Sequence, residues 1–162
     1  MTAPLPVALA TEVLERARAQ GLKITTAESC TGGLVAGALT EIAGSSDVFG
    51  YGFITYANAA KASVLKVPEA MLAEHGAVSQ PVAMAMAEGA LAASGADVAV
   101  AITGVAGPGG GTAEKPVGLV HFAAARRGQP TLHRVERFGA LGRSQVRQAS
   151  VVVALELLRE RL

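Results

Sequence analysis

The chain holds one cysteine and no tryptophan, and neither sign of charge is in surplus: 14 Lys and Arg against 13 Asp and Glu leave a net charge of +1. With Cys30 alone, an internal disulfide is impossible and zinc sites built from several cysteines are excluded. His75, His121 and His133 fall in no recognisable ligand spacing, so neither a metal nor a cofactor is expected. Near-zero charge removes the general basic field of a nucleic-acid wrapper, and 4% aromatics supply few stacking platforms. Direct nucleic-acid binding is therefore not expected. No apolar run approaches the roughly 20 residues of a membrane helix. The opening Met1-Thr2-Ala3-Pro4-Leu5-Pro6 lacks the basic flank and apolar core of a signal peptide. A cytoplasmic protein without a membrane partner is the expectation.

What the chain does have is apolar mass. Of 162 residues, 51% are hydrophobic and 17% charged, enough for one well-cored domain over residues 1–162. Residues 7–20 read as a helix with Leu9, Val13 and Ala17 on one face and Gly21 to end it. Residues 22–27 read as a strand, and a helix from about Gly32 is broken at Gly44-Ser45-Ser46. Residues 49–56 form the next strand, with Asn58 as N-cap of a short helix. Pro68 starts another short helix ending near Gly76. Ser79-Gln80-Pro81 opens a longer, Ala-rich helix ending at Gly95, and Gly89 inside it predicts close packing against a sheet or helix. Residues 97–103 are almost continuously apolar, as in a central strand covered on both faces. Residues 104–111 are a Gly/Pro loop, residues 117–125 and 132–138 a hairpin whose second strand reads as an edge. Residues 143–162 close the chain as a helix with Val146, Ser150, Val153 and Leu157 in one stripe. This order predicts an α/β fold: a mixed sheet with helices on both faces.

Three constellations can carry chemistry. In Ala27-Glu28-Ser29-Cys30-Thr31-Gly32-Gly33 a strand delivers Ser, Cys, Thr and two glycines to a helix start. Unpaired N–H groups there suit an anion or an oxyanion, or the segment is simply a helix start with Thr31 as N-cap. In Thr55-Tyr56-Ala57-Asn58-Ala59-Ala60-Lys61 a cation sits in a first helical turn, unfavourable by roughly 0.3–1 kcal/mol; a surface lysine is the bland alternative. Thr103-Gly104-Val105-Ala106-Gly107-Pro108-Gly109-Gly110-Gly111 leaves a central strand at the edge where open α/β sheets bind ligands. Glycines there let backbone N–H groups approach a ligand. Ser45-Ser46 reads as a helix terminator that can also offer hydroxyls. His75 before Gly76 reads as a helix C-cap partner rather than a base.

Taken together these segments resemble the CinA C-terminal domain family, whose stand-alone members are nicotinamide-nucleotide amidohydrolases. The resemblance rests on Thr26-Ala27-Glu28-Ser29-Cys30-Thr31-Gly32-Gly33, Ala43-Gly44-Ser45-Ser46, Gly52-Phe53-Ile54-Thr55-Tyr56-Ala57-Asn58 with Lys61, His75-Gly76-Ala77-Val78-Ser79, Thr103-Gly104-Val105-Ala106-Gly107-Pro108 and Lys115-Pro116-Val117-Gly118. It covers essentially the whole chain and looks like the short form of the family. It implies a single-domain, three-layer α/β/α sandwich and hydrolysis of nicotinamide mononucleotide to nicotinate mononucleotide and ammonia.

Amide hydrolysis needs a nucleophile, a proton carrier and an oxyanion site. Ser29 is the expected nucleophile, Lys61 the base, and Tyr56 the residue that orients or relays the proton. The amides of Cys30, Thr31, Gly32 and Gly33 would hold the oxyanion. Ser45, Ser46, Asn58, Thr103, Gly104, Gly107 and Gly110 are the remaining expected substrate contacts. Lys61 must be neutral to act, which requires burial or a nearby cation. Because successive side chains of an extended segment face opposite sides, Cys30 should pack inward if Ser29 faces the cleft. The alternatives are a pyridine-nucleotide-binding module that does not hydrolyse its ligand, and a competence or DNA-damage accessory protein. A homo-oligomer, dimer or higher, is expected from the apolar C-terminal and Ala-rich helices.

Overall fold

The computed structural model describes residues 5–162, so four of the six N-terminal residues read above against a signal peptide lie outside it. In chain order the elements are α1 (Val7–Gln20), β1 (Ile24–Glu28), α2 (Leu34–Thr40), β2 (Phe49–Ile54), α3 (Asn58–Leu65), α4 (Glu69–His75), α5 (Gln80–Ser94), β3 (Val98–Gly104), β4 (Leu119–Arg126), β5 (Leu132–Arg137) and α6 (Arg143–Glu160). The five strands form one mixed sheet in the order β2-β1-β3-β4-β5. β2, β1 and β3 run parallel, while β4 and β5 add antiparallel as the expected hairpin.

Two apolar layers sandwich this sheet, and they differ in side-chain size. On one face Ile24, Val98, Val100, Ile102, Val120 and Phe122 meet α1, α2 and α6. On the other face Ala27, Ala99, Ala101, Ala123 and Ala125 meet α5, whose own contact side chains include Ala83, Ala87 and Ala90. Small residues on both partners let α5 sit close to the sheet. The same helix packs against the end of α3 so tightly that a Cβ on Gly89 would lie 2.0 Å from the Leu65 carbonyl oxygen. The close packing expected at Gly89 is therefore real.

Several boundaries differ from the sequence reading, each for a local reason. α2 starts at Leu34 because Gly32 and Gly33 form a left-handed turn, φ 57° and 102°. Thr31 is not its N-cap: Gly33 occupies that position, and the buried Thr31 hydroxyl has no partner. The buried Glu28 carboxylate caps instead, accepting from the Val35 and Ala36 amides at 2.9 and 3.1 Å. α2 already ends at Thr40, before Gly44-Ser45-Ser46. β2 stops at Ile54, and α3 is preceded by Ala57 at the N-cap, with Asn58 already helical. Ser79 does precede α5, but its hydroxyl donates to the Gly76 carbonyl rather than capping the helix.

Candidate active site

The parallel ladder continues one residue beyond β1 on each side. The Ser29 amide donates to the Ile102 carbonyl on β3, and the Thr55 amide donates to the Glu28 carbonyl. These bonds fix Ser29 and the carbonyl of Thr55 against each other at the C-terminal edge of the sheet. α3 then brings Lys61 back beneath them. Its ammonium nitrogen lies 2.9 Å from Ser29 Oγ, 2.7 Å from the Thr55 carbonyl oxygen and 3.0 Å from that of Tyr56. Lys61 is 1% exposed, the largest fully buried side chain among the described residues. Burial lowers its pKa to about 8, with a smaller opposing contribution from Cys30.

The three contacts define what each protonation state does. As an ammonium, Lys61 donates to all three oxygens. As a neutral amine it has two N–H groups for the two carbonyls, and its lone pair is left for the Ser29 hydroxyl proton. That arrangement is a nucleophile with a positioned base.

Ser29 and Cys30 both border the cleft but differ in what surrounds their side chains. Cys30 is buried in the layer beneath α2 and α6, and desolvation raises its thiol pKa to about 11. Such a thiol stays protonated and unreactive near neutrality. Arg147 holds the turn from the α6 side, donating to the Cys30 and Thr31 carbonyls at 3.1 and 3.3 Å.

The cleft around this pair measures about 310 Å³ and is walled by Ser29, Cys30, Lys61, Tyr56, Thr103, the 104–110 loop and Arg143. Among the described residues, the amides of Ala106, Gly107, Gly109 and Gly110 donate to no backbone carbonyl. Gly104 is required where β3 and β4 approach, since a Cβ there would lie 2.7 Å from Val120 Cγ2. The loop is anchored by Arg143, which donates to the Gly107 carbonyl at 2.8 Å and to the Tyr56 hydroxyl at 2.9 Å.

Not every expected contact is here. Tyr56 lines the cleft, but its hydroxyl accepts from Arg143, and only its backbone carbonyl meets Lys61 directly. Thr103 is present, with its hydroxyl donating to the Ala77 carbonyl. Ser45 and Ser46 sit ahead of β2, at the N-terminal edge of the sheet, and Ser46 lines a separate cavity with Lys23 and Tyr51. Asn58 lines a third cavity between α3 and α4. The start of α2 is no free anion site either. Glu28 already takes the Val35 and Ala36 amides, and the Gly32 amide donates to the Ser29 carbonyl, leaving those of Cys30, Thr31 and Gly33 without a backbone acceptor. His75 ends α4, where its carbonyl accepts from Lys115.

The sequence reading named neither Arg143, which lines the cleft, nor Arg147, which braces the turn after Ser29 from behind. Arg143 carried a signal, because a cation in the first turn of α6 opposes the helix dipole just as Lys61 does in α3.

The fold and site together define a three-layer α/β/α domain with a buried serine–lysine pair at the C-terminal edge of its parallel strands. The chain belongs to the CinA C-terminal domain family, whose model matches residues 7–162. A CinA-like protein of Akkermansia muciniphila is 57% identical over 80% of this chain, and one of a Synechococcus species is 54% identical over 95%. These alignments cover 31% and 37% of the two relatives, so the chain spans about a third of the length of the curated proteins it matches. Solved structures match over most of their own length. The competence/damage inducible protein CihA from Agrobacterium tumefaciens superposes with a TM-score of 0.94 at 52% identity, covering 98% of this chain and 96% of that one. A CinA superfamily protein from Escherichia coli gives 0.91 at 38% identity, covering 96% and 90%. Among the described residues no helix is long and apolar enough to cross a membrane.

Proposed function

We propose that this domain hydrolyses the carboxamide of nicotinamide mononucleotide to nicotinate mononucleotide and ammonia, with Ser29 as nucleophile and Lys61 as base. The observation that carries the reading is the 2.9 Å contact between Ser29 Oγ and a buried Lys61 amine whose pKa is lowered to about 8. A lysine kept charged for structure alone would ordinarily face water or a carboxylate. This one faces two backbone carbonyls and a hydroxyl.

Ser29 Oγ attacks the carboxamide carbon while its proton passes to the neutral Lys61 amine. The amides of Cys30 and Thr31, beside the attacking oxygen, stabilise the negative charge on the carbonyl oxygen. The C–N bond breaks as Lys61 returns the proton to the departing nitrogen, releasing ammonia and leaving an ester on Ser29. Water then attacks that ester, Lys61 takes the water proton, and the ester C–O bond breaks. The proton returns to Ser29 Oγ as the acid leaves. Arg143 and the free amides of the 104–110 loop supply the positive wall for the substrate phosphate. The substrate's pyridinium charge, placed near Lys61, further favours the neutral amine.

Ammonia release from nicotinamide mononucleotide tests the reading, with nicotinamide riboside as the comparison. Turnover of the nucleotide with a far lower kcat/KM for the riboside is the expected result. Tight nucleotide binding without ammonia would make this a binding module, and equal kcat/KM values would remove the phosphate argument.

A further inference from the structure

The sheet ends in two edges of opposite character. β5 carries His133, Arg134, Glu136 and Arg137, with Arg134 paired to Glu136 at 2.7 Å and to Glu156 at 3.3 Å. Charges on an edge strand keep it from recruiting another strand. β2 has no such protection: residues 48–60 contain neither a charged side chain nor a proline. It pairs with β1 on one side and with no described strand on the other. Tyr51 and Ile54 are 57% and 58% exposed, and Tyr51 stacks on Phe53 with ring centroids 6.2 Å apart. Exposed Gly50 and Gly52 add no side chain that would shield the backbone between them.

We propose that two copies of this chain join β2 to β2 in antiparallel register about a two-fold axis, making one continuous ten-stranded sheet. The open ladder calls for a strand, and the composition says which one. In an antiparallel pair about a two-fold axis the residue on the axis faces its own copy, and its neighbours face one another's copies. A charge at the middle of the strand therefore sits against or close to the same charge. A strand with no charge at all meets that condition, whereas an unrelated charged partner would find nothing on β2 to pair with. Tyr51 and Phe53 supply the aromatic cross-strand contacts that stabilise antiparallel pairs. The rival surface is a groove of about 540 Å³ along α6, lined by Leu5, Leu34, Leu141 and Val152 but also by Gln148 and Arg147. It presents a helix face with its backbone already paired, so nothing there specifies a second copy.

Antiparallel joining points the C-terminal ends of the strands in opposite directions. The two Ser29–Lys61 clefts therefore lie at opposite edges of the joined sheet, each complete within its own copy. Dissociation should cost assembly and leave turnover per chain intact.

Sedimentation velocity on the full chain tests this. Wild type is expected to be a dimer. Tyr51→Lys, which sets two like charges facing each other near the axis, should raise the dimer Kd by about a hundredfold or more. An equimolar mixture of Tyr51→Lys and Tyr51→Glu should restore dimers, which a folding defect would not do. Hydrogen exchange on the unmodified protein gives a variant-free reading: amides of residues 49–54 should become more protected as concentration rises. Three results would overturn the proposal: a wild type monomeric at about 100 µM, a Tyr51→Lys dimer as tight as wild type, or dissociation by Val152→Lys but not by Tyr51→Lys. If Tyr51→Lys does not fold, concentration-independent exchange in residues 49–54 refutes it alone.

Discussion

Ser29 and Ser45 invite comparison because locally they look alike. Both are buried serines within three residues of a glycine, one at each end of the parallel strands. Ser29 leaves β1 at its C-terminal end, where α3 turns back and sets a buried amine against the hydroxyl. Ser45 precedes β2 at the N-terminal end, in a short helical turn whose amide donates to the Ile42 carbonyl. Residue type is the same at both; the edge of the sheet decides whether a reactive partner is within reach. Sequence order cannot express that, because Lys61 lies 32 residues from Ser29 and only sheet topology closes the distance.

The largest expected effect breaks the comparison at its centre. Ser29→Ala should lower kcat by about a thousandfold or more, while Ser45→Ala should stay within about twofold in the same ammonia assay. Similar losses at both would return Ser45 to the site. Lys61→Arg comes next: a guanidinium keeps charge but does not deprotonate usefully, so turnover should fall by about a hundredfold. Retention of more than about a tenth of wild-type rate, only ~1.4 kcal/mol of barrier, would remove Lys61 as base.

A smaller effect follows from the lowered Lys61 pKa. The neutral amine is the active form, so kcat/KM should rise with pH and level off above about 8. Between pH 7 and 9 the increase should be about tenfold, and a flat profile would mean that Lys61 does not titrate in catalysis. The smallest effect belongs to Cys30. Its thiol is buried with a pKa of about 11, so Cys30→Ala should keep activity within about twofold, and iodoacetamide should inhibit the wild type slowly if at all.

Much of the fold was legible because its signals are local. The 7–20 helix, its Gly21 end, the apolar central strand and the hairpin follow from periodicity and turn chemistry. Serine, lysine and the glycine loop were legible as residue types. What escaped were groups whose role depends on tertiary partners. Glu28 replaced Thr31 as the cap because a strand side chain, seven residues from Val35, reaches the start of α2 from below. Arg143 enters the cleft from α6, more than 100 residues after Ser29, Arg147 braces the turn from the same helix, and Asn58 lines a cavity between α3 and α4 instead. Tyr56 was located correctly, yet its backbone and side chain divide between Lys61 and Arg143. The division depends on α6, which no nearby residue announces.

The most direct test of the central claim is to quench the enzyme during turnover of nicotinamide mononucleotide and map the acyl adduct by peptide mass spectrometry. The expected result is an added acyl mass on Ser29 that survives Cys30→Ala and disappears in Ser29→Ala. An adduct on Cys30 or Thr31, or turnover that persists in Ser29→Ala and vanishes in Cys30→Ala, would contradict the serine–lysine account.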